Sequence, residues 1–131
     1  MSYQGKSVLL VDDDADLLDQ MSLKLGTLGF DVIKADGQHE AERILESKVP
    51  DLAIVDLMME NEDSGFVLAY RIKRRSANIP VIVVTAVTSE LGLEFDAATT
   101  EEQSWIRADA LLNKPVRFEQ LQREIARLLP E

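Results

Sequence analysis

The chain has 131 residues, 46% of them hydrophobic and 29% charged, with a net charge of −10. That length and balance suit one compact domain with one core and exclude a disordered tail. The acidic excess argues against a nucleic-acid binder, which needs a basic face to displace counterions, and against docking on anionic lipid; a metal cation or a locally basic partner protein fits better.

No cysteine is present, so neither a disulfide nor a thiolate metal site can form, which is compatible with a reducing cytoplasm. The N-terminal MSYQGKSVLLVDDD has too short an apolar run for a signal peptide or a membrane span. There is no internal repeat, low-complexity tract or interdomain linker. Residues 1–131 are therefore read as one domain with its core over about 7–129.

Apolar runs of strand length alternate with segments of helical period. Ser7–Val11 reads as a buried strand. Leu17, Leu18, Met21, Leu25 and Leu28 then share a helical face that Gly29 ends. Residues 31–35, DVIKA, form a short second strand, and Ala41, Ile44 and Leu45 mark a second helix stopping before Pro50. The third strand is LAIVD, ending at Asp56, and Ser64 is placed to N-cap a third helix carrying Val67, Leu68 and Ile72. Val81–Thr85 is the most apolar strand, Ala110–Asn113 a short fifth, and Phe118, Leu121, Ile125 and Leu128 define a last helix. Between Ala86 and Asp109 alternation calls for a helix, but the periodicity is weak.

Strand–helix alternation with apolar, β-branched strands predicts a doubly wound parallel five-stranded sheet covered on both faces. Ligands of such folds bind beyond the carboxyl ends of the strands. Asp12 and Asp13, Asp56, Thr85 and Lys114 each stand at a predicted strand end, so they are expected to converge. Clustered carboxylates repel one another, and a hard divalent cation such as Mg²⁺ relieves that repulsion with oxygen ligands. Glycine-rich phosphate loops are absent, so nucleotide binding is not supported. An acid cluster with a hydroxyl and a lysine suits phosphoryl transfer to a carboxylate nucleophile.

LLVDDD at 9–14, IVDLMM at 54–59, VVTA at 83–86 and NKP at 113–115 resemble the receiver domain of two-component response regulators, the CheY-like family. The match in order and spacing runs over roughly Val8 to Leu129. The resemblance implies a (βα)5, flavodoxin-like fold. It implies that Asp56 accepts a phosphoryl group from a phosphohistidine on a sensor kinase or histidine phosphotransfer protein. It implies Mg²⁺ (or Mn²⁺) held directly by Asp13 and Asp56, by Asp12 through water, and by the backbone carbonyl of Met58. Lys114 would bridge to the phosphoryl oxygens, Thr85 would hydrogen-bond the group and move with it, and the small Ala86 would leave it room. Pro115 would follow a cis Lys–Pro bond. No output domain is expected, and the chain is read as a signalling switch in the cytoplasm rather than an enzyme. Its downstream protein partner is unidentified, and homodimerisation through the last strand–helix face is left open.

Plainer readings apply to other residues. Asp14 or Asp16 can cap the first helix. His39 reads as structural or solvent-facing, and Arg71, Lys73, Arg74 and Arg75 as cations favoured at a helix C-terminus. Glu60, Glu62 and Asp63 either tune the metal site or form a solvated loop; Met58 and Met59 either make a soft protein contact or pack in the core.

Three departures from the family pattern stand out. Glu60 replaces a proline and Gly65 comes one residue late, giving an acidic, expanded loop. Leu111 stands where an aromatic residue usually reads out the movement of the threonine. The span from Thr85 to Lys114, with Phe95 and Trp105, is long, so a remodelled or irregular fourth helix region is expected. Met58 and Val87 occupy the positions flanking the hydrolytic water, and neither can orient it, which predicts slow self-dephosphorylation. Two other functions compete: a phosphorylation-independent adaptor with the same fold, and an aspartate phosphatase, against which Met58 stands where a second acid would be needed.

Overall fold

The computed structural model describes residues 3–57, 64–85 and 108–130. The strands are β1 (Ser7–Val11), β2 (Asp31–Ala35), β3 (Leu52–Asp56), β4 (Val81–Thr85) and β5 (Ala110–Asn113). The helices are α1 (Ala15–Thr27), α2 (Gln38–Leu45), α3 (Ser64–Arg75) and α4 (Phe118–Leu128). The strands form one parallel sheet in the order β2-β1-β3-β4-β5. The expected doubly wound fold is therefore present.

Each strand alternates its side chains between two apolar layers, as the period of two requires. Leu9, Val11, Val55, Val81 and Val83 face α2 and α3. Val8, Leu10, Ile54, Ile82 and Leu112 face α1 and α4. Burial on both faces explains why β3 and β4 read as unbroken apolar runs.

Local signals set the element ends. Asp14 caps α1, its Oδ1 accepting from the backbone N–H of Asp16 at 3.1 Å and of Leu17 at 3.2 Å. Gly29 follows α1 at φ 102°, a left-handed conformation that favours glycine. A Cβ there would also meet the backbone nitrogens of Gln4 and Tyr3 at 2.9 and 3.0 Å. The packed structure begins ahead of β1, because the buried Tyr3 ring stacks on Phe30 at 4.6 Å between centroids.

Ser64 is the first helical residue of α3, one position inside the cap that the sequence suggested. Its hydroxyl type suits either place, so composition alone does not separate them. The cations near the end of α3 have intramolecular partners. Lys73 Nζ donates to the Ile79 carbonyl at 2.6 Å and to Asp109 Oδ2 at 2.7 Å, Arg75 Nε to the Leu45 carbonyl at 3.0 Å, and Arg71 pairs with Glu42. His39 is exposed on α2. The region expected to hold a remodelled fourth helix, with Phe95 and Trp105, lies outside the described residues for 86–107.

Candidate functional site

Sheet order reverses between β1 and β3, and at such a switch point the loops beyond the strand ends diverge to leave a crevice. The last residue of β3 is Asp56, and Asp12 and Asp13 directly follow β1. Backbone bonds pin both strand ends: the Asp12 N–H donates to the Ala35 carbonyl at 3.2 Å, and the Leu57 N–H to Val84 at 2.8 Å. Asp12 is fixed further by its Oδ1, which accepts from the Asp14 N–H at 2.9 Å.

Asp12, Asp13 and Asp56 each offer a carboxylate oxygen, and these oxygens lie within 4.8 Å of one another. Asp12 and Asp56 are buried, both at 6% exposure, while Asp13 is exposed. An all-oxygen donor set with one solvent-facing member matches a hard divalent cation that keeps part of its water shell. The residues thus fit the metal that the family implies.

Lys114 reaches the same cluster from β5. Its backbone N–H donates to the Thr85 carbonyl at 2.8 Å, and the Lys114–Pro115 peptide is cis. Its Nζ stands 3.2 Å from Asp56 Oδ1 and 3.3 Å from Asp12 Oδ2. Burial works against this ammonium, but Asp12 and Asp56 together outweigh it and raise the lysine above its ordinary range. Asp56 is pushed up from 3.8 to about 6, first by burial and then by the Asp12 charge, with Lys114 partly offsetting both. Asp56 is thus mostly ionised at neutral pH, yet poorly solvated.

Thr85 closes β4, buried at 1% exposure and paired in register with Asn113. Leu111 pairs with Val83 and packs, half-buried, against the α2–α3 layer. Met58, Glu60, Glu62, Asp63, Ala86 and Val87 lie outside the described residues.

Reading by motif did not anticipate the role of Gly65. It sits in the first turn of α3, and its N–H donates to the Leu57 carbonyl at 2.7 Å. A Cβ at Gly65 would stand 2.5 Å from both the Asp56 carbonyl oxygen and Leu57 Cα. This close approach lets α3 abut the backbone that carries Asp56, and glycine on an otherwise helical stretch was the available signal.

The fold and the acid–lysine cluster at its switch point define a CheY-like, flavodoxin-type α/β domain. The chain belongs to the response regulator receiver domain family of two-component signalling, whose model matches residues 8–126. It is 33% identical over 99 residues to the phosphate regulon transcriptional regulatory protein PhoB of Pseudomonas aeruginosa, covering 71% of this chain and 43% of that protein. It is similar in structure to the chemotaxis response regulator CheY4 of Vibrio cholerae, with 25% identity, a TM-score of 0.77, and 95% and 98% of the two chains covered. The response regulator TrrA of Thermotoga maritima, solved in complex with Mg(2+)-BeF, shares the fold at 22% identity and a TM-score of 0.74, with 95% and 99% covered. The chain spans less than half the length of the curated relatives it matches. Among the described residues, no helix is long and apolar enough to cross a membrane.

Proposed function

We propose that Asp56 accepts a phosphoryl group from a phosphohistidine on a sensor kinase or histidine phosphotransfer protein, and that the modified chain switches its binding of a downstream protein. The observation that supports this most is the setting of the Asp56 carboxylate. It is buried, raised to about 6, and held 3.2 Å from Lys114 beside two further acids. A carboxylate stripped of water and mostly ionised is a competent nucleophile toward phosphorus.

In the proposed step an Asp56 carboxylate oxygen forms the new P–O bond. The P–N bond to the donor imidazole breaks, its electron pair stays on that nitrogen, and the nitrogen then takes a proton from solvent. Lys114 keeps its proton and offsets charge on the equatorial oxygens. The Thr85 hydroxyl donates a hydrogen bond to the same group and moves toward it, into the room left by Ala86. Asp13, Asp56 and the Met58 carbonyl would hold Mg²⁺ (or Mn²⁺), with Asp12 acting through water. Bound there, the ion supplies charge neutralisation at the phosphoryl oxygens.

With Met58 and Val87 unable to orient a water, the phosphorylated form is expected to be long-lived. Leu111 in place of an aromatic residue makes the readout depend on a shift in packing against the α2–α3 layer.

The test is incubation with acetyl phosphate and Mg²⁺, followed by intact mass measurement. Wild type should gain one phosphoryl group and Asp56→Asn none. If neither protein is modified while metal binding is confirmed, the phosphorylation-independent adaptor is favoured. Repeated turnover of phosphomonoesters would instead point to a phosphatase.

A further inference from the structure

β5 is the edge strand that leads to Lys114, and β4 is its one neighbour in the sheet. It is four residues long, with Ala110 and Leu112 packed in one apolar layer and Leu111 in the other. Three apolar residues in a row give little alternation, so side-chain pattern selects the register of β5 weakly. A slip of one residue would displace Lys114 by about 3.3 Å and turn it toward the other face of the sheet. Its Nζ, 3.2 Å from Asp56 Oδ1, would then leave the acid cluster.

Bonds at the opposite end of the strand supply what alternation lacks. Asp109 directly precedes β5 and brackets Val81, the first residue of β4. Its N–H donates to the Val81 carbonyl at 2.8 Å, and its Oδ2 accepts from the Val81 N–H at 2.7 Å. The same Oδ2 accepts from Lys73 Nζ at 2.7 Å, and that ammonium also donates to the Ile79 carbonyl at 2.6 Å. Lys73 thus ties the carboxylate to the last turn of α3 and to the approach to β4. Val81 is buried, so its N–H needs a partner. A slip of one residue would bring Ala108 or Ala110 to Val81, and neither side chain has an oxygen to offer. The carboxylate therefore marks one register, which the evenly spaced backbone bonds of a parallel ladder do not.

We propose that Asp109 is a positioning residue for phosphoryl transfer, setting the register of β5 on β4 so that Lys114 meets the phosphoryl group, with Lys73 holding the Asp109 carboxylate in place. This role rests on the reading of Asp56 as phosphoacceptor and extends it to the far end of the sheet. Asp109 stands about 17 Å along the strand from Lys114, so it acts through the lysine and not on the reacting atoms.

Two readouts test the role. The first is amide exchange in the unmodified protein, followed by NMR. Asp109→Ala should speed exchange of the Lys114 N–H, which donates to the Thr85 carbonyl, about tenfold. The Leu57 N–H, which donates to Val84, should exchange as before. The second readout is the rate of phosphorylation by acetyl phosphate with Mg²⁺. Asp109→Ala should slow it about tenfold in the wild-type background and leave it unchanged in Lys114→Met, because the effect passes through the lysine. Lys73→Met should move both readouts the same way, less strongly, and serves where Asp109→Ala does not fold. Unchanged Lys114 exchange or an unchanged rate in both variants would overturn the proposal. So would equal slowing with and without Lys114, which marks a general loss of structure. If wild type takes up no phosphoryl group, the Asp56 reading fails, and the exchange readout still decides the register.

Discussion

Asp56 combines burial, two neighbouring acids and one lysine, and the lysine opposes the other effects. Its pKa of about 6 exceeds the unfolded value of 3.8, so between those values the folded state binds more protons than the unfolded one. Stability of the metal-free protein should therefore fall as pH rises through that window and level off above it. Asp56→Asn removes the buried charge and should raise metal-free stability at pH 7 by up to about 3 kcal/mol, a gain that shrinks toward pH 4. Thermal melts of both proteins in chelator across pH 4 to 8 check this; a constant difference would contradict it. Lys114 acts on the same group in the opposite sense. Lys114→Met keeps the apolar stem but loses the charge, and should slow phosphorylation by acetyl phosphate about a hundredfold. It should also move the midpoint of the pH–rate profile upward, because the carboxylate loses its cationic neighbour.

The elements are held in register around this cluster by backbone contact. Gly65 places the first turn of α3 against the end of β3, with no room for a Cβ beside Asp56 and Leu57. Gly65→Ala should cost about 1–3 kcal/mol through overpacking, read as a lower denaturation midpoint with an unchanged slope. Since the obstructing atoms are backbone, the relief available is a shift of α3 or of the strand end. The glycine stands one place later in sequence than the family pattern suggests, yet it makes a close contact at the strand end. At the start of α1, Asp14 accepts from two backbone amides, and Asp14→Ala should cost about 1 kcal/mol. Asp13, exposed and outside the capping bonds, is free of that duty.

At the scale of the whole molecule, a divalent cation held by the three carboxylates at one sheet edge would couple its binding to folding. Mg²⁺ at a hundred times its dissociation constant should stabilise the chain by about 2.7 kcal/mol, because the cluster exists only in the folded state. Asp13→Asn should lose most of that increment while leaving metal-free stability almost unchanged, since Asp13 is solvent-exposed. Calorimetric scans with and without Mg²⁺ separate the two quantities. The same edge opens onto a cleft on the α1–α4 side of the sheet.

The five strands, the four described helices and the strand-end positions of Asp12, Asp56, Thr85 and Lys114 were legible in the sequence. Strand-length β-branched runs, helical periods and stop residues are local signals, and local signals survive without a fold. A doubly wound sheet then forces its strand ends to one side, so the meeting of these residues followed from topology. The distances, the burial and the charge balance did not. Lys114 lies 102 positions from Asp12, and their 3.3 Å approach exists only once β5 has paired beside β4. Asp56 is raised to about 6 by burial and by Asp12, neither of which acts on the unfolded chain. The packing role of Gly65, the Lys73–Asp109 pair and the apolar cleft likewise arise between elements. Sequence determined which chemical groups reach the sheet edge. Tertiary structure alone decided how closely they stand and how much water they keep, and those two quantities set their charge and reactivity.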